Sequence, residues 1–368
     1  MSATQDLHGI GQSIWLDNIT RGILTDGTLR RYTEDKSVTG LTSNPTIFDH
    51  AITAGDAYDD AIRKKTAEGK SGEPMFFELA IEDLTAAADI FRPIHERTDG
   101  VDGWVSLEVS PLLANDTAAT IRAAATLHRQ ANRPNLFIKI PGTPEGLSAI
   151  EQSIFSGVAV NVTLLFSAAQ CTAAAEAYMR GIERRIAAGL DPKVGSVASL
   201  FVSRWDVAVQ DKVPPALRNR LGIAVSKRAY RDYRRLLASP RWLALETAGA
   251  KPQRLLWAST STKDPDASDT LYVEALAAPD TINTMPDKTL KAFADHGKVN
   301  GVLPVDGGDA EEVLAEFKRA GVNDQALAAQ LQREGADSFD KSWKDLLEQL
   351  AAKRSKLAQD HNANKGTR

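Results

Sequence analysis

The chain has 368 residues, is 43% hydrophobic and carries a formal net charge of −4. That length accommodates one large α/β barrel or two smaller domains, with enough apolar material for a sizeable core. The acidic balance excludes general binding to nucleic acid or anionic membranes, so an anionic substrate needs a local site. Met1 to Gly11 is polar with no apolar leader segment. No run reaches the roughly 18 apolar residues of a membrane span. The single cysteine, Cys171, cannot make an internal disulfide, which fits a reducing cytoplasm. Its alanine-rich helical surroundings read as those of a packed, inert thiol.

In chain order, strand candidates alternate with helical segments. The strands are Ser13–Asp17, Gly40–Pro45, Trp104–Val109, the run Asn135–Thr143 around Lys139, Val158–Leu165, Val197–Val202, Arg254–Ser259 and Thr281–Thr284. The helices between them are Arg21–Asp35, Tyr58–Glu68, Met75–Arg92, Thr117–Gln130, Gly142–Phe155 and Ser167–Ala187. Strands alternating with helices predict a parallel sheet, and eight such units predict a (β/α)₈ TIM barrel. Extra helices are expected between strands six and seven (Trp205 to Lys251) and at the C-terminus. The expected organisation is a single barrel domain over 1–368, a helical extension from about residue 298 and a frayed tail from about residue 358. The basic run Lys227 to Arg235 reads as a solvated helix face. Asp309 to Lys318 opens with acidic residues, as a helix N-terminus prefers, and Phe339 to Leu350 repeats the helical period.

Lys139 lies among Leu136, Phe137, Ile138 and Ile140, ahead of the turn pair Pro141-Gly142. Two readings are open. A lysine buried there finds a carboxylate or gives up its proton, and a neutral amine attacks a carbonyl to form a Schiff base. Alternatively, strand alternation points it outward with its stem laid over a helix. In a barrel, polar residues at the carboxyl ends of the strands converge. Asp17, Asn44, Glu108, Lys139, Asn161 with Thr163, Ser199 and Ser259 hold such positions. Together they supply an amine, two carboxylates for proton transfer and amides for sugar hydroxyls.

Other signals are missing. No glycine-rich dinucleotide loop follows a strand, and Gly69-Lys70-Ser71 lacks the upstream glycine of a P-loop. The six histidines show no paired metal-ligand spacing, and no carboxylate run forms a calcium loop. No basic stretch interleaved with aromatics marks nucleic-acid binding. The expectation is chemistry without a cofactor or metal. The sequence does not set an oligomeric state.

Five segments carry a resemblance. Gly40-Leu-Thr-Ser-Asn-Pro-Thr-Ile-Phe48 resembles the N-terminal signature of transaldolases. Leu136-Phe-Ile-Lys-Ile-Pro-Gly-Thr-Pro-Glu-Gly146 with Val160-Asn-Val-Thr-Leu-Leu-Phe-Ser167 resembles their catalytic-lysine signature. Ala198 to Arg204 and Leu256 to Lys263 also match. The similarity runs from about Gln12 to Gly297, and the extended tail is similar to that of the longer bacterial members.

The resemblance implies a Schiff-base transferase of the non-oxidative pentose phosphate pathway, acting on phosphorylated sugars. It would move a dihydroxyacetone unit from sedoheptulose 7-phosphate to glyceraldehyde 3-phosphate. By matching position, Lys139 is the nucleophile and Asp17 handles the hydroxyl proton at the breaking bond. Glu108, with Thr163 and a water, shuttles protons around the imine. Asn44 and Asn161 hold hydroxyls, and Arg204, Ser199 and Ser259 hold the phosphate. Shorter transaldolases carry an arginine where this chain has Ser261; Lys263 is either its replacement or a solvated loop lysine. The alternatives are a fructose 6-phosphate aldolase of the same superfamily and a non-catalytic sugar-phosphate-binding barrel. Glu108 and Phe201 sit where the transferases have them, unlike the aldolase branch.

Overall fold

In the computed structural model, which describes residues 2–366 and side chains through residue 359, eight parallel strands close into a barrel in sequence order. They are β1 (Ser13–Asp17), β2 (Val38–Thr42), β3 (Val105–Glu108), β4 (Leu136–Pro141), β5 (Val160–Leu165), β6 (Ser196–Phe201), β7 (Gln253–Ala258) and β8 (Thr281–Met285). β8 pairs back onto β1, so no edge strand remains exposed.

Strand alternation divides each strand between two apolar layers. Ile14 and Leu16, Leu136, Ile138 and Ile140, and Leu255 and Trp257 pack outward against the helices. Trp15, Phe137, Val197, Leu256 and Ile282 fill the barrel interior. Trp104 stacks on Phe137 with ring centroids 4.0 Å apart, at an interplanar angle of 15°. Gly40 is dictated by this packing: a Cβ there would lie 2.6 Å from the Trp15 indole nitrogen. Below the aromatic layer, Asp102 accepts hydrogen bonds from Ser13 Oγ and from Trp15 Nε1, and Arg254 donates to Ser13 Oγ at 2.8 Å. The amino end of the barrel is therefore plugged, and the carboxyl end is left for a cavity.

Several helices differ from the sequence expectation for local reasons. Arg21–Asp35 is two helices, Arg21–Thr25 and Thr28–Asp35, parted at Gly27 with φ 79°. Pro45, read as a strand stop, instead opens the helix Pro45–Thr53, whose N-cap Asn44 accepts from the Ile47 amide at 3.0 Å. Proline suits a first helical turn because its missing N–H costs no bond there. The amino-terminal helix Ala3–Gly9 lies in a stretch that carried no sequence expectation of helix.

The expected extra helices are present. Leu221–Leu237 lies between β6 and β7, and Ala310–Arg319 and Asp324–Gly366 follow β8. The basic run is not a free solvated face. Lys227 pairs with Asp309 at 2.6 Å, Arg228 with Glu311 and Asp324 at 2.6 Å each, Arg231 with Glu311 at 2.7 Å and Arg234 with Asp280 at 2.6 Å. The cations were legible as one face, but their acidic partners lie far along the chain. The terminal helix runs through Gly366; the end of the expected frayed tail, residues 367–368, lies outside the described residues. Among the described residues no helix is long and apolar enough to cross a membrane.

Candidate active site

The same alternation that sends Leu136, Ile138 and Ile140 outward sends Phe137 and Lys139 inward, which settles the two readings of Lys139. Its side chain is 7% exposed, and Nζ lies 3.0 Å from Glu108 Oε2. Glu108 and Lys139 are register partners on β3 and β4, so adjacent inward positions bring the charges together. Lys139 Nζ also donates to the Ser43 carbonyl at 3.3 Å. The lysine has found a carboxylate. Two buried oxygens on the strands either side of β4, Glu108 Oε1 and Thr163 Oγ1, have no hydrogen-bond partner among the described residues.

Above this pair is a cavity of about 180 Å³. Of the sequence-predicted residues, Asp17, Asn44, Lys139, Thr163, Ser199, Phe201, Arg204, Ser259 and Lys263 line it. Glu108 and Asn161 do not reach its wall. Glu108 sits behind Lys139. Asn161 is fully buried between β4 and β6, its amide donating to Ser106 Oγ at 3.1 Å and its carbonyl accepting from Ser199 Oγ at 2.7 Å. Both ends of Asn161 are thus engaged, and the residue it presents to the cavity is Ser199.

Asp17, the last residue of β1, accepts from Thr42 Oγ1 at 2.7 Å, and Thr42 in turn meets Thr284 Oγ1 at 2.6 Å. Burial raises the Asp17 carboxyl above its ordinary value, against the opposing pull of the Thr42 hydroxyl and the Lys139 charge. Burial likewise raises Glu108; Lys139 opposes that shift and the like charge of Asp17 adds to it. Two carboxyls and one ammonium are held close together, Glu108 and Lys139 buried and Asp17 at the cavity wall, an arrangement in which protons move between partners readily. Asn44 spends its carbonyl on the helix cap, leaving its amide hydrogens for the cavity.

The rest of the wall gathers hydrogen-bond donors. Burial draws the Arg204 guanidinium below its ordinary value, and no other influence is found, so no carboxylate answers its charge among the described residues. Its carbon lies 5.2 Å from the Phe201 ring centre. Ser259, with φ 57°, is held by a 2.8 Å contact between its hydroxyl and that of Ser203. Ser261 meets Thr289 through hydroxyls 2.7 Å apart, and the exposed Lys263 stands at the mouth. A guanidinium, hydroxyls and an ammonium facing one space are hydrogen-bond donors of the kind that phosphate oxygens accept from.

Sequence reasoning missed Thr42, Thr284, Leu256, Ala258, Pro286 and Phe339 as wall residues. Thr42 lies in the first signature segment, two residues before Asn44, and alternation from Gly40 would have found it. Phe339 had no such signal. It comes from the terminal helix, which crosses the carboxyl end of the barrel: Gln332 Nε2 donates to the Gly142 and Leu164 carbonyls at 3.0 and 2.9 Å.

A family model described as transaldolase/fructose-6-phosphate aldolase matches residues 14–350. The chain belongs to this family. Three similar relatives carry the name transaldolase. One from Arthrobacter sp. (strain FB24) is 45% identical over 353 residues, covering 94% of this chain and 95% of the relative. One from Thiobacillus denitrificans is 44% identical over 358 residues, covering 95% and 100%. One from Thermobifida fusca is 44% identical over 359 residues, covering 95% and 98%. The family match reaches residue 350, well past Gly297, so it takes in the stretch of terminal helix that carries Phe339. Among the described residues no group of three or more His, Cys, Asp or Glu side chains gathers as a metal site. Cys171 is buried, and its thiol is pushed up to about 12 by burial and by Asp232, as suits a packed thiol.

Proposed function

We propose that the protein is a transaldolase that moves a dihydroxyacetone unit from sedoheptulose 7-phosphate to glyceraldehyde 3-phosphate, giving erythrose 4-phosphate and fructose 6-phosphate. The observation that carries this reading is the buried Lys139 Nζ, 3.0 Å from Glu108 Oε2 and open to a cavity with an unanswered arginine. The names of the full-length relatives support it.

Lys139 passes a proton to Glu108, and the freed amine adds to the ketose carbonyl carbon. The carbinolamine hydroxyl leaves as water with a proton from Glu108, giving a protonated imine. Thr163 Oγ1 and Glu108 Oε1, the two unpartnered oxygens, are suited to hold that departing water. Asp17 then takes the proton of the hydroxyl on the far carbon of the bond to be cleaved. The carbon–carbon bond breaks, its electron pair flows into the imine as an enamine, and the aldose leaves. The enamine attacks the incoming aldehyde and Asp17 returns its proton to the new alkoxide. Hydrolysis of the imine, again through Glu108, releases the product. Asn44 and Ser199 hold hydroxyls of the three-carbon unit, Asn161 orients Ser199, and Arg204, Ser259 and Lys263 hold the phosphate. The substrates are phosphorylated sugars. The experiment is a transfer assay with the two natural phosphate substrates. Release of dihydroxyacetone irrespective of acceptor indicates the aldolase instead, and no turnover indicates a binding barrel.

A further inference from the structure

The terminal helix is fixed over the cavity on both sides of Phe339. At its start, Asp324 is paired with Arg228 at 2.6 Å, and farther on Lys353 pairs with Asp59 at 2.9 Å and donates to the Ile52 carbonyl at 2.7 Å. Trp343, one turn beyond Phe339, packs against both Phe76 and Phe77 with ring centroids at 4.9 and 5.5 Å. Phe339, Trp343, Leu346, Leu350 and Leu357 are all buried, which keeps one face of the helix down. Gly335 permits the close approach: a Cβ there would lie 3.0 Å from Leu164 Cδ2 and 3.5 Å from Arg204 Nη1. Phe339 is thereby set with its ring centre 5.5 Å from Lys139 Nζ, 6.0 Å from the Arg204 guanidinium carbon and 6.5 Å from the Phe201 ring.

We infer that Phe339 is a positioning and specificity-determining residue, which packs with Phe201 beside Arg204 and limits solvent access to the enamine carried by Lys139. The inference rests on the transaldolase reading. After cleavage, the enamine has two fates. In transfer, its carbon attacks the acceptor aldehyde and a new carbon–carbon bond forms. In release, that carbon takes a solvent proton, water adds to the resulting imine, and dihydroxyacetone departs with regeneration of the amine. Both fates end in hydrolysis of an imine, and only the second needs a solvent proton at the enamine carbon before the acceptor arrives. A ring held beside the nitrogen limits the solvent that can deliver that proton while the enamine waits for the acceptor. Two rings packed together beside one guanidinium also restrict its direction, so the phosphate is met by a pre-oriented fork.

The test compares wild type, Phe339→Ala and Phe339→Leu for transfer to glyceraldehyde 3-phosphate and for dihydroxyacetone release from fructose 6-phosphate, with melting temperatures. Phe339→Ala should raise the ratio of release to transfer about tenfold and weaken kcat/KM for phosphorylated donors about tenfold, mainly through KM. Phe339→Leu keeps apolar cover and lacks the ring face. It should restore the release ratio toward wild type while leaving the donor KM raised. An unchanged ratio in Phe339→Ala overturns the inference. So does a parallel loss of transfer and release in both variants that follows the melting temperature, which makes Phe339 structural only. If wild type itself transfers nothing, the transaldolase reading fails first.

Discussion

Glu108 and Lys139 face each other across neighbouring strands in matched register, with oxygen and nitrogen 3.0 Å apart at the floor of the cavity. Burial of a lone lysine would be costly, and the pairing offsets that cost with a partner that also accepts its proton. The pair is thus a structural contact in the resting site and, on the proposed mechanism, the first proton-transfer step once a ketose binds.

The like charge of Asp17 is one cause of the raised Glu108 carboxyl. Removing it, as in Asp17→Asn, lowers the Glu108 value while Lys139 stays. Proton acceptance by Glu108 then survives to lower pH, so the acidic limb of imine formation should move down in pH relative to wild type. Cleavage should stall by about 10²- to 10⁴-fold, because a general base is gone. Borohydride quenches of fructose 6-phosphate mixtures across pH measure the first effect. A limb that stays put or moves up contradicts the coupling between the two carboxyls.

Thr42 acts on Asp17 in the opposite sense. Its hydroxyl, 2.7 Å from Asp17 Oδ1, favours the charged carboxylate and pulls its value down. Thr42→Val keeps the shape and removes that bond, so Asp17 rises further and is protonated over more of the acidic range. The acidic limb of the cleavage step should move up in pH, and cleavage near neutrality should slow by about tenfold, the worth of one charge-assisted hydrogen bond. Single-turnover release of erythrose 4-phosphate from sedoheptulose 7-phosphate reads this directly. An unshifted limb means that Thr42 only fills space.

Much of this was legible in the sequence, and the limits have physical causes. β1 was read with the observed bounds, because Ser13–Asp17 is a short apolar run closed by a polar residue. Asp17 and the residues of β4 to β7 were found because polar groups interrupt apolar strands there. The direction of Lys139 was not legible from β4 alone. A barrel strand is apolar on both faces, so alternation loses its contrast, and the inward face is identified only by its neighbours Phe137 and Glu108. The helix after Asn44 was hidden because Asn-Pro reads as a stop and a start alike. The terminal helix showed its period but not its target. Phe339 reaches Lys139 and Arg204 only through tertiary docking, for which no local pattern exists.

Arg204 provides the most direct charge for a phosphate. Arg204→Ala should lower kcat/KM for phosphorylated donors by roughly ten- to a hundredfold, from the loss of about 1.5–3 kcal/mol in a charge-assisted contact. Unphosphorylated acceptors should suffer less. Steady-state kinetics with glyceraldehyde and glyceraldehyde 3-phosphate as acceptors separate the cases. Equal losses for both give Arg204 a purely structural part.

The carbanion left by cleavage is stabilised by the protonated imine, so the reaction as written asks for no Lewis acid. Full turnover should persist after dialysis against EDTA. Activity lost on chelation and regained with added zinc would point to a different means of holding the carbanion.

The most direct measurement is borohydride reduction with fructose 6-phosphate, followed by peptide mass analysis. Reduction should fix a dihydroxyacetone or hexose adduct on the peptide that contains Lys139. In Lys139→Arg, whose guanidinium stays protonated and forms no imine, adduct and turnover should both vanish. An adduct on another lysine, or transfer that survives Lys139→Arg, contradicts the assignment of Lys139 as the nucleophile.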